Sequence, residues 1–433
     1  MRLWCKLPFK DVLGDAGFAL LDRALLSVTN FAVGILMIRR APEAEYASYV
    51  LAYSGILLMI GFQNALITTP MTVMALKQEP RKRQNFINAL GKNQYAIWLP
   101  LGLVAVLVWA LAPYLNISNA TAGMILVGAV VTLFLFVHEF MRQAFFVYML
   151  PKTVLFLDSA YAIVFLGAVY SFTTVASAPA LQTITAMGAA GLLAGILGFS
   201  LFKRHIGWEF VWDLSPLLMT WKLGRWALLG VAVTWLHNQG FLYLLSGLKG
   251  TVEVASVSAS RLLFMPIPMM LASITAILRP RGSAWVARRE KDKLLLMSVV
   301  LGGCTFVAGL AYIAMLLVAQ QRVGQFIFGK EIPYMSSFVL LWSAVFLTQI
   351  IRTVLALVFQ IFERFDTLFH IGALSAIASL SVGYWAIRIH GTPGSVVGLI
   401  VGEVMYVLCM GGCIVRNGWE GLAGNRAVRG LAK

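Results

Sequence analysis

The sequence carries little charge. Only 12% of its 433 residues are Asp, Glu, Lys or Arg, whereas soluble globular domains carry roughly 25%. The charge is also one-sided, with 34 basic residues against 18 acidic ones. With 60% apolar residues, the chain lacks the polar surface of a soluble enzyme or a nucleic-acid-binding protein. We therefore expect it to contact membrane lipids and not nucleic acid.

Signatures of metal, cofactor and glycosyl-transfer chemistry are lacking as well. Three of the four cysteines, Cys304, Cys409 and Cys413, lie in apolar runs and are interpreted as small packing residues. The HEFMR segment (138–142) resembles a zinc-protease HExxH motif, but Arg142 replaces its second histidine. No D-x-D sequence occurs. We predict no metal, no cofactor and no catalytic residue.

Long apolar runs are abundant. Each is about 20 residues long, enough for a helix to cross ~30 Å of hydrocarbon, and none alternates as barrel strands do. The pattern predicts an all-α integral membrane protein with about 12 transmembrane helices. The runs lie near residues 17–38, 46–67, 94–114, 121–148, 154–174, 182–202, 222–245, 254–278, 294–318, 334–361, 366–387 and 394–415.

Basic residues predict the orientation. With a cytoplasmic N-terminus, 24 of the 34 Lys and Arg lie in inner segments and only six in outer loops. Cytoplasmic loops carry such an excess of positive charge. We therefore expect both termini in the cytoplasm.

Two pairs of segments indicate an internal repeat. EYASY (45–49) and EVASV (253–257) are 208 residues apart, while HEFMRQAFF (138–146) and TQIIRTVLA (348–356) are 210 apart. The repeat predicts two six-helix lobes, residues 1–205 and 206–433. In transporters built from such repeats, substrates bind between the lobes near the membrane midplane.

The first span contains polar residues that lipid tails disfavour. Arg23, Ser27, Asn30 and Gly34 recur along one helix face, and charged residues inside a membrane usually face the bundle interior or a wet cavity. One interpretation is a cavity lining. The other is a structural ion pair between Arg23 and an acid such as Asp22 or Glu139, although Asp22 points about 100° away from Arg23.

Other spans carry charge as well. Glu139 and Arg142 are spaced i, i+3 in the fourth span and can form an ion pair. Alternatively, Glu139 can be an ion-coupling site. Asp22 and Asp158 are further candidates for ion coupling. Arg261 precedes FMPIPMM, whose prolines predict a broken span, and neither Arg261 nor Arg352 has an acid within one turn of its own helix. Because arginine binds phosphate in bidentate fashion, the four intramembrane arginines indicate an anionic substrate.

The N-terminal region resembles a known family. The segments ALLDRALLSVTNF, R-x-x-P-E-x-E-Y-x-x-Y and QNALITTPM, within residues 18–72, are similar to those of bacterial polysaccharide-biosynthesis membrane proteins. These are the O-antigen and exopolysaccharide flippases of the multidrug/oligosaccharidyl-lipid/polysaccharide exporter superfamily. Beyond residue 90 the resemblance is architectural only, and Ala41 and Ala47 replace the family's usual glycines.

The resemblance implies two lobes around a central cavity in a bacterial inner membrane. It also implies alternating access that moves a polyprenyl-pyrophosphate-linked oligosaccharide to the outer leaflet, alongside polysaccharide polymerase or export machinery. Three side chains would contact the sugar (Asn30, Gln63 and Asn64), and four would bind the pyrophosphate (Arg23, Arg142, Arg261 and Arg352).

Other functions stay open at this point. A cation-coupled multidrug exporter of the same superfamily would need cavity carboxylates, for which Asp22, Glu139, Asp158 and Glu403 are the candidates. A membrane oligosaccharide polymerase or glycosyltransferase usually needs a large outer loop or an acidic surface cluster, which this sequence lacks. A non-transporting scaffold for glycan assembly would not need buried charge.

Overall fold

The computed structural model describes residues 9–114, 118–172, 178–209, 213–288, 290–329 and 331–422. Every regular element in these ranges is helical, as the sequence predicts. The elements are α1 (Phe9–Arg40), α2 (Glu43–Gln63), a π-helical turn (Asn64–Thr68), α3 (Thr69–Ala75), α4 (Pro80–Asn93), α5 (Tyr95–Ala110), α6 (Asn119–Val147), α7 (Pro151–Phe172), α8 (Pro179–His205), α9 (Ser215–Lys249), α10 (Val252–Leu262), α11 (Pro266–Ala287), α12 (Lys291–Phe328), α13 (Met335–Ile361), α14 (Phe365–His390) and α15 (Gly394–Leu422).

The membrane spans match the sequence prediction. Eleven helical segments in the described ranges are long and apolar enough to cross a bilayer. The pair Val252–Leu262 and Pro266–Val286, which is bent by 57°, is long and apolar enough to be counted as a twelfth span. The prediction of an all-α membrane protein with about 12 spans is confirmed.

The bend between α10 and α11 lies at the predicted prolines. Proline lacks an amide hydrogen and clashes with the preceding turn, so Pro266 ends the regular hydrogen bonding of α10. Neighbouring helices bind the polar groups at the break. The Tyr312 hydroxyl donates to the Leu263 carbonyl over 2.6 Å, and the Trp342 indole nitrogen donates to the Ser260 hydroxyl over 3.0 Å. A broken span is tolerated where protein covers its backbone in this way.

The chain divides into two compact units, residues 1–232 and 233–433. The division falls inside α9, after the predicted lobe boundary at 205/206, because the start of α9 packs on the π-helical turn that follows α2. A Cβ atom added to Gly224 would lie only 2.4 Å from the Ala65 carbonyl oxygen. The two predicted lobes stay a prediction, and each unit is described separately below.

Small residues bring helices into close contact in each unit. In the C-terminal unit, Gly394, Gly398 and Gly402 form one face of α15, and a Cβ on Gly398 would lie 2.5 Å from the Ser379 carbonyl oxygen of α14. In the N-terminal unit, Gly188 and Gly191 of α8 pack directly on Val131 and Leu135 of α6. Membrane helices associate through such small residues, since lipid provides little hydrophobic driving force.

A glutamate holds the start of the last spanning helix in each unit. The Glu45 carboxylate accepts a 2.9 Å hydrogen bond from the Ala180 amide at the start of α8. The Glu253 carboxylate accepts one from the Thr392 hydroxyl just before α15. Glu45 and Glu253 open the two matching segments EYASY and EVASV. The donors differ, a backbone amide in one unit and a side-chain hydroxyl in the other, and the internal repeat stays a prediction.

Candidate functional site

The N-terminal unit contains a buried charge cluster centred on Arg142 of α6. Its guanidinium contacts three carboxylates: Asp158 of α7 through Nε at 2.6 Å, Glu139 through Nη1 at 2.7 Å, and Asp22 of α1 through Nη2 at 2.9 Å. Asp22 and Asp158 are fully buried. The Glu139–Arg142 pair has the i, i+3 spacing expected from the sequence. The cluster therefore joins α1, α6 and α7 through one guanidinium.

His138 extends this cluster. Its Nε2 atom lies 2.9 Å from Asp158 Oδ1, while the other oxygen of Asp158 faces Arg142. The imidazole stacks on the Tyr161 ring with centroids 5.1 Å apart, and the Gln143 amide donates to Glu139 over 2.9 Å. Asp158 is thus shared between an arginine and a histidine.

The charges of the cluster do not balance. Three carboxylates face one guanidinium, which leaves two negative charges in excess when all the acids are ionised and His138 is neutral. Uncompensated buried charge is unfavourable by several kcal/mol. The cluster can relieve the excess by binding protons or a cation. No group of three or more potential ligands in the described residues has the arrangement of a metal site.

The C-terminal unit contains a smaller cluster around Glu403 of α15. One carboxylate oxygen lies 2.7 Å from Arg352 Nε of α13, and the other lies 3.2 Å from His237 Nε2 of α9. The Arg352 guanidinium also lies 5.3 Å above the Tyr406 ring. Glu403 and His237 are only 2% and 3% exposed. Again a carboxylate is shared between an arginine and a histidine.

The other predicted substrate contacts lie outside these clusters. Arg23 is exposed and, among the described residues, makes no hydrogen bond or ion pair. Asn30 is half-buried on the same helix. In the α10–α11 span, the Arg261 guanidinium lies 5.5 Å from the Trp342 ring centroid.

Gln63 and Asn64 lie where α2 becomes the π-helical turn. Gln63 is fully buried, and its amide donates to Gln94 over 2.8 Å and to the Phe136 carbonyl over 2.9 Å. Asn64 is half-buried, and its carbonyl oxygen accepts from the Thr68 hydroxyl over 2.7 Å. Gln63 is therefore engaged in helix packing, whereas the side-chain nitrogen (Nδ2) of Asn64 makes no hydrogen bond to another described residue.

The structure adds His237, for which the sequence carried no signal. It also places Glu403, which the sequence analysis considered only as a candidate carboxylate of a drug exporter, in contact with Arg352 and His237. Both contacts join helices that are distant along the chain, so no local spacing indicates them. The repeat could have directed attention to Arg352, since Arg142 occupies the matching position.

The sequence matches no protein-family model and no curated protein. Solved structures are similar in fold. The chain superposes on the lipid II flippase MurJ in an inward closed conformation with a TM-score of 0.71 at 12% identity, covering 91% of this chain and 87% of that one. It superposes on the eukaryotic MATE transporter AtDTX14 with a TM-score of 0.65 at 14% identity, covering 95% and 98%.

A third similar structure is a MOP-superfamily transporter from Pyrococcus furiosus, described as having a binding pocket of reverse polarity. Its TM-score is 0.64 at 12% identity, and 96% of this chain and 97% of that one are covered. The chain therefore has the fold shared by MATE and MurJ transporters of the MOP superfamily, the multidrug/oligosaccharidyl-lipid/polysaccharide exporters. It is a multi-pass membrane protein, and these structural neighbours are transporters rather than enzymes.

Proposed function

We propose that the chain is a flippase that moves a polyprenyl-pyrophosphate-linked oligosaccharide from the cytoplasmic to the outer leaflet by alternating access. It would serve surface polysaccharide synthesis in a bacterial inner membrane, with both termini in the cytoplasm. Polymerase or export machinery would receive the flipped product.

The pairing of the intramembrane charges is the observation that carries this proposal. The four intramembrane carboxylates Asp22, Glu139, Asp158 and Glu403 each contact an arginine of their own unit. Arg23 contacts no carboxylate among the described residues. A chain that holds each intramembrane acid against an arginine and leaves Arg23 exposed within a candidate span is suited to an anionic headgroup rather than to an organic cation.

The fold neighbours support the same substrate class. One of them is described as a lipid II flippase, so this fold is compatible with a lipid-linked substrate. Another is described as having a binding pocket of reverse polarity, so the fold is also compatible with more than one pocket charge. Neither comparison identifies the sugar.

Arg23 is proposed to bind the pyrophosphate, because arginine forms bidentate hydrogen bonds to phosphate oxygens. Asn30, seven residues later on α1, and Asn64 at the π-helical turn are both half-buried and are proposed to offer their side-chain amides to sugar hydroxyls. Arg261 at the bent span is proposed as a second cation for the pyrophosphate. Gln63 stays a predicted sugar contact. It can bind the sugar only if its hydrogen bonds to Gln94 and to the Phe136 carbonyl break.

Arg142 and Arg352 are proposed to bind the substrate only in a protonated state of the transporter. In the described conformation, carboxylates occupy both guanidinium groups. Protonation or cation binding at Asp22, Glu139 or Asp158 would weaken those contacts and free Arg142 for a phosphate. Competition for one guanidinium would thereby couple ion movement to substrate binding.

A cation-coupled multidrug exporter is the second candidate. The negative excess around Arg142 favours it, since carboxylates attract cations, and several of the structural neighbours are multidrug MATE transporters. A membrane polymerase or glycosyltransferase has no comparable support, because the structural neighbours are transporters.

A deletion strain tests the proposal directly. Lipid extracts would be analysed by mass spectrometry for polyprenyl-linked sugars, and an impermeant oxidant applied to spheroplasts would report the leaflet that holds them. We expect a complete oligosaccharide-lipid to accumulate on the inner leaflet and to be cleared by wild-type complementation but not by R23Q. Normal lipid levels together with drug sensitivity would overturn the flippase in favour of the exporter. Accumulation on the outer leaflet would indicate a polymerase.

A further inference from the structure

We propose that the start of α9 binds the phosphate of an anionic membrane phospholipid through Lys222 and Arg225, with Trp226 beside them. The surface belongs to the N-terminal unit and lies at the end that is predicted to face the cytoplasm. It includes none of the residues proposed to bind the transported substrate, so the proposal is independent of the proposed function.

Helix α9 is longer than a membrane span requires. Its 35 residues extend about 52 Å, whereas the part that is apolar enough to cross the bilayer begins at Gly224. Lys222, Arg225 and Trp226 therefore lie at the level where the span begins. Tryptophan, lysine and arginine are the side chains that anchor a helix at this level, between the headgroups and the acyl chains.

One face of the start of α9 packs on the N-terminal unit. Thr220 is fully buried, and a Cβ on Gly224 would lie 2.4 Å from the Ala65 carbonyl oxygen. Leu217 and Leu228 pack against the unit's hydrophobic core. These α9 residues are three or four positions apart and share one side of the helix, so the opposite side points away from this packing.

The opposite face combines apolar and basic side chains. Leu218, Met219 and Trp226 are exposed, Trp226 by 69%, and Lys222 and Arg225 are exposed between them. The Arg225 guanidinium lies 5.7 Å from the Trp226 ring centroid. Neither cation contacts a carboxylate among the described residues. A helix face of this composition is typical of segments that bind the interface of an anionic membrane.

Further basic residues lie at the same end of the unit. Lys203 and Arg204 are exposed in the last turn of α8, and Arg81 is exposed in the first turn of α4. The Gln84 amide of α4 donates to the Gly207 carbonyl over 3.0 Å, which holds the two basic segments together. Together with Lys222 and Arg225, these cations outnumber the exposed acids of this end in the described ranges, which are Glu79, Glu209 and Asp213. The excess positive charge attracts anionic headgroups.

A phospholipid fits this surface better than the transported substrate does. Its phosphate stays at headgroup depth, where Lys222 and Arg225 lie, and its acyl chains can cover the exposed side chains of Leu218 and Met219. The pyrophosphate of a flipped lipid has to leave this depth and cross the bilayer. We therefore assign the surface to a resident phospholipid.

Photocrosslinking of the full-length chain in vesicles tests the proposal locally. The photoreactive residue p-benzoylphenylalanine replaces Met219, and the vesicles contain equal amounts of phosphatidylglycerol and phosphatidylcholine. Mass spectrometry of the crosslinked peptide then identifies the attached lipid. We expect phosphatidylglycerol to exceed phosphatidylcholine at least about tenfold, because each basic residue near the membrane surface adds to the attraction.

The charge-removing variant is K222Q/R225Q, which should abolish this preference, whereas K222R/R225K should keep it. The matched control is K249Q/R322Q, which removes two exposed cations, one from the other end of α9 and one from α12. It should leave the preference unchanged. Equal crosslinking of both lipids in the unmutated surface would overturn the proposal, and so would an unchanged preference in K222Q/R225Q.

Two further measurements complete the test. Raising the salt concentration from about 0.1 M to about 1 M should weaken the preference without any charge mutation, because exposed charges are screened. A preference that is insensitive to salt would therefore contradict the proposal even if K222Q/R225Q does not fold. Polyprenyl pyrophosphate added at the same amount as phosphatidylglycerol identifies the source of the phosphate. If it displaces phosphatidylglycerol from the crosslink, the surface binds the substrate and the proposal is wrong.

Discussion

Arg142 and Arg352 lie 210 residues apart in the sequence and each binds a carboxylate that also contacts a histidine. Asp158 lies between Arg142 and His138, and Glu403 lies between Arg352 and His237. The acids come from helices that do not correspond, α7 in one unit and α15 in the other. The two units therefore share the arginine and the pairing chemistry, while the helix that supplies the acid differs.

Removing the central arginine should destabilise the N-terminal unit. R142Q leaves Asp22, Glu139 and Asp158 without their guanidinium, and breaking a buried pair from one side costs about 3–5 kcal/mol. We expect a large loss of thermal stability in detergent that is partly recovered at low pH, where protonation removes the carboxylate charges. R142Q with an unchanged melting temperature would show that the cluster does not stabilise the unit.

Arg23 should behave in the opposite way. It is exposed and makes no ion pair in the described residues, so R23Q should change stability by no more than about 0.5 kcal/mol. Flipping of the lipid-linked sugar should nevertheless fall at least about tenfold, the loss expected from one charge-assisted contact. R23K should retain part of the activity, because it keeps the charge but not the bidentate geometry.

The matched control for Arg23 is R39Q, which removes an exposed arginine from the last turn of the same helix. It should leave flipping close to the wild-type rate. Equal losses in R23Q and R39Q would mean that net charge, and not a pyrophosphate contact, explains the effect.

The close contact of α14 and α15 depends on Gly398. A Cβ there would lie 2.5 Å from the Ser379 carbonyl oxygen and 2.6 Å from the Gly383 Cα, which are both backbone atoms and cannot rotate away. G398A should therefore destabilise the C-terminal unit by about 1–3 kcal/mol. The control G411A lies on the same helix with open space around its Cβ, and it should be neutral or slightly stabilising. Thermal melting of the two variants side by side measures the difference.

The sequence predicted the spans well because membrane spans are encoded locally. A run of about 20 apolar residues between polar turns determines a transmembrane helix by itself. Pro266 likewise marks the broken span, since its missing amide hydrogen is a local property. The same holds for Glu139 and Arg142, which are neighbours on one helix turn.

The partners of Arg352 and Asp22 could not be predicted in this way. Arg352 binds Glu403, two spans later, and Asp22 binds Arg142, three spans later. Helix rotation and packing decide such contacts, and neither has a local pattern. The sequence did indicate that Asp22 and Arg23 point in different directions. The structure agrees with this, because Asp22 is fully buried whereas Arg23 is exposed.

The repeated glutamates give a test of the internal repeat. Glu45 holds the start of α8 and Glu253 the segment before α15, and a hydrogen bond to a charged group contributes about 1.5–3 kcal/mol. E45A and E253A should therefore lower the stability by similar amounts. The double variant should be additive within about 0.5 kcal/mol, because the two glutamates share no partner.

E45Q and E253Q should lose less stability than the alanine variants, since the amide oxygen still accepts a hydrogen bond. If only one alanine variant were destabilised, the two glutamates would not be equivalent, which would count against the predicted repeat.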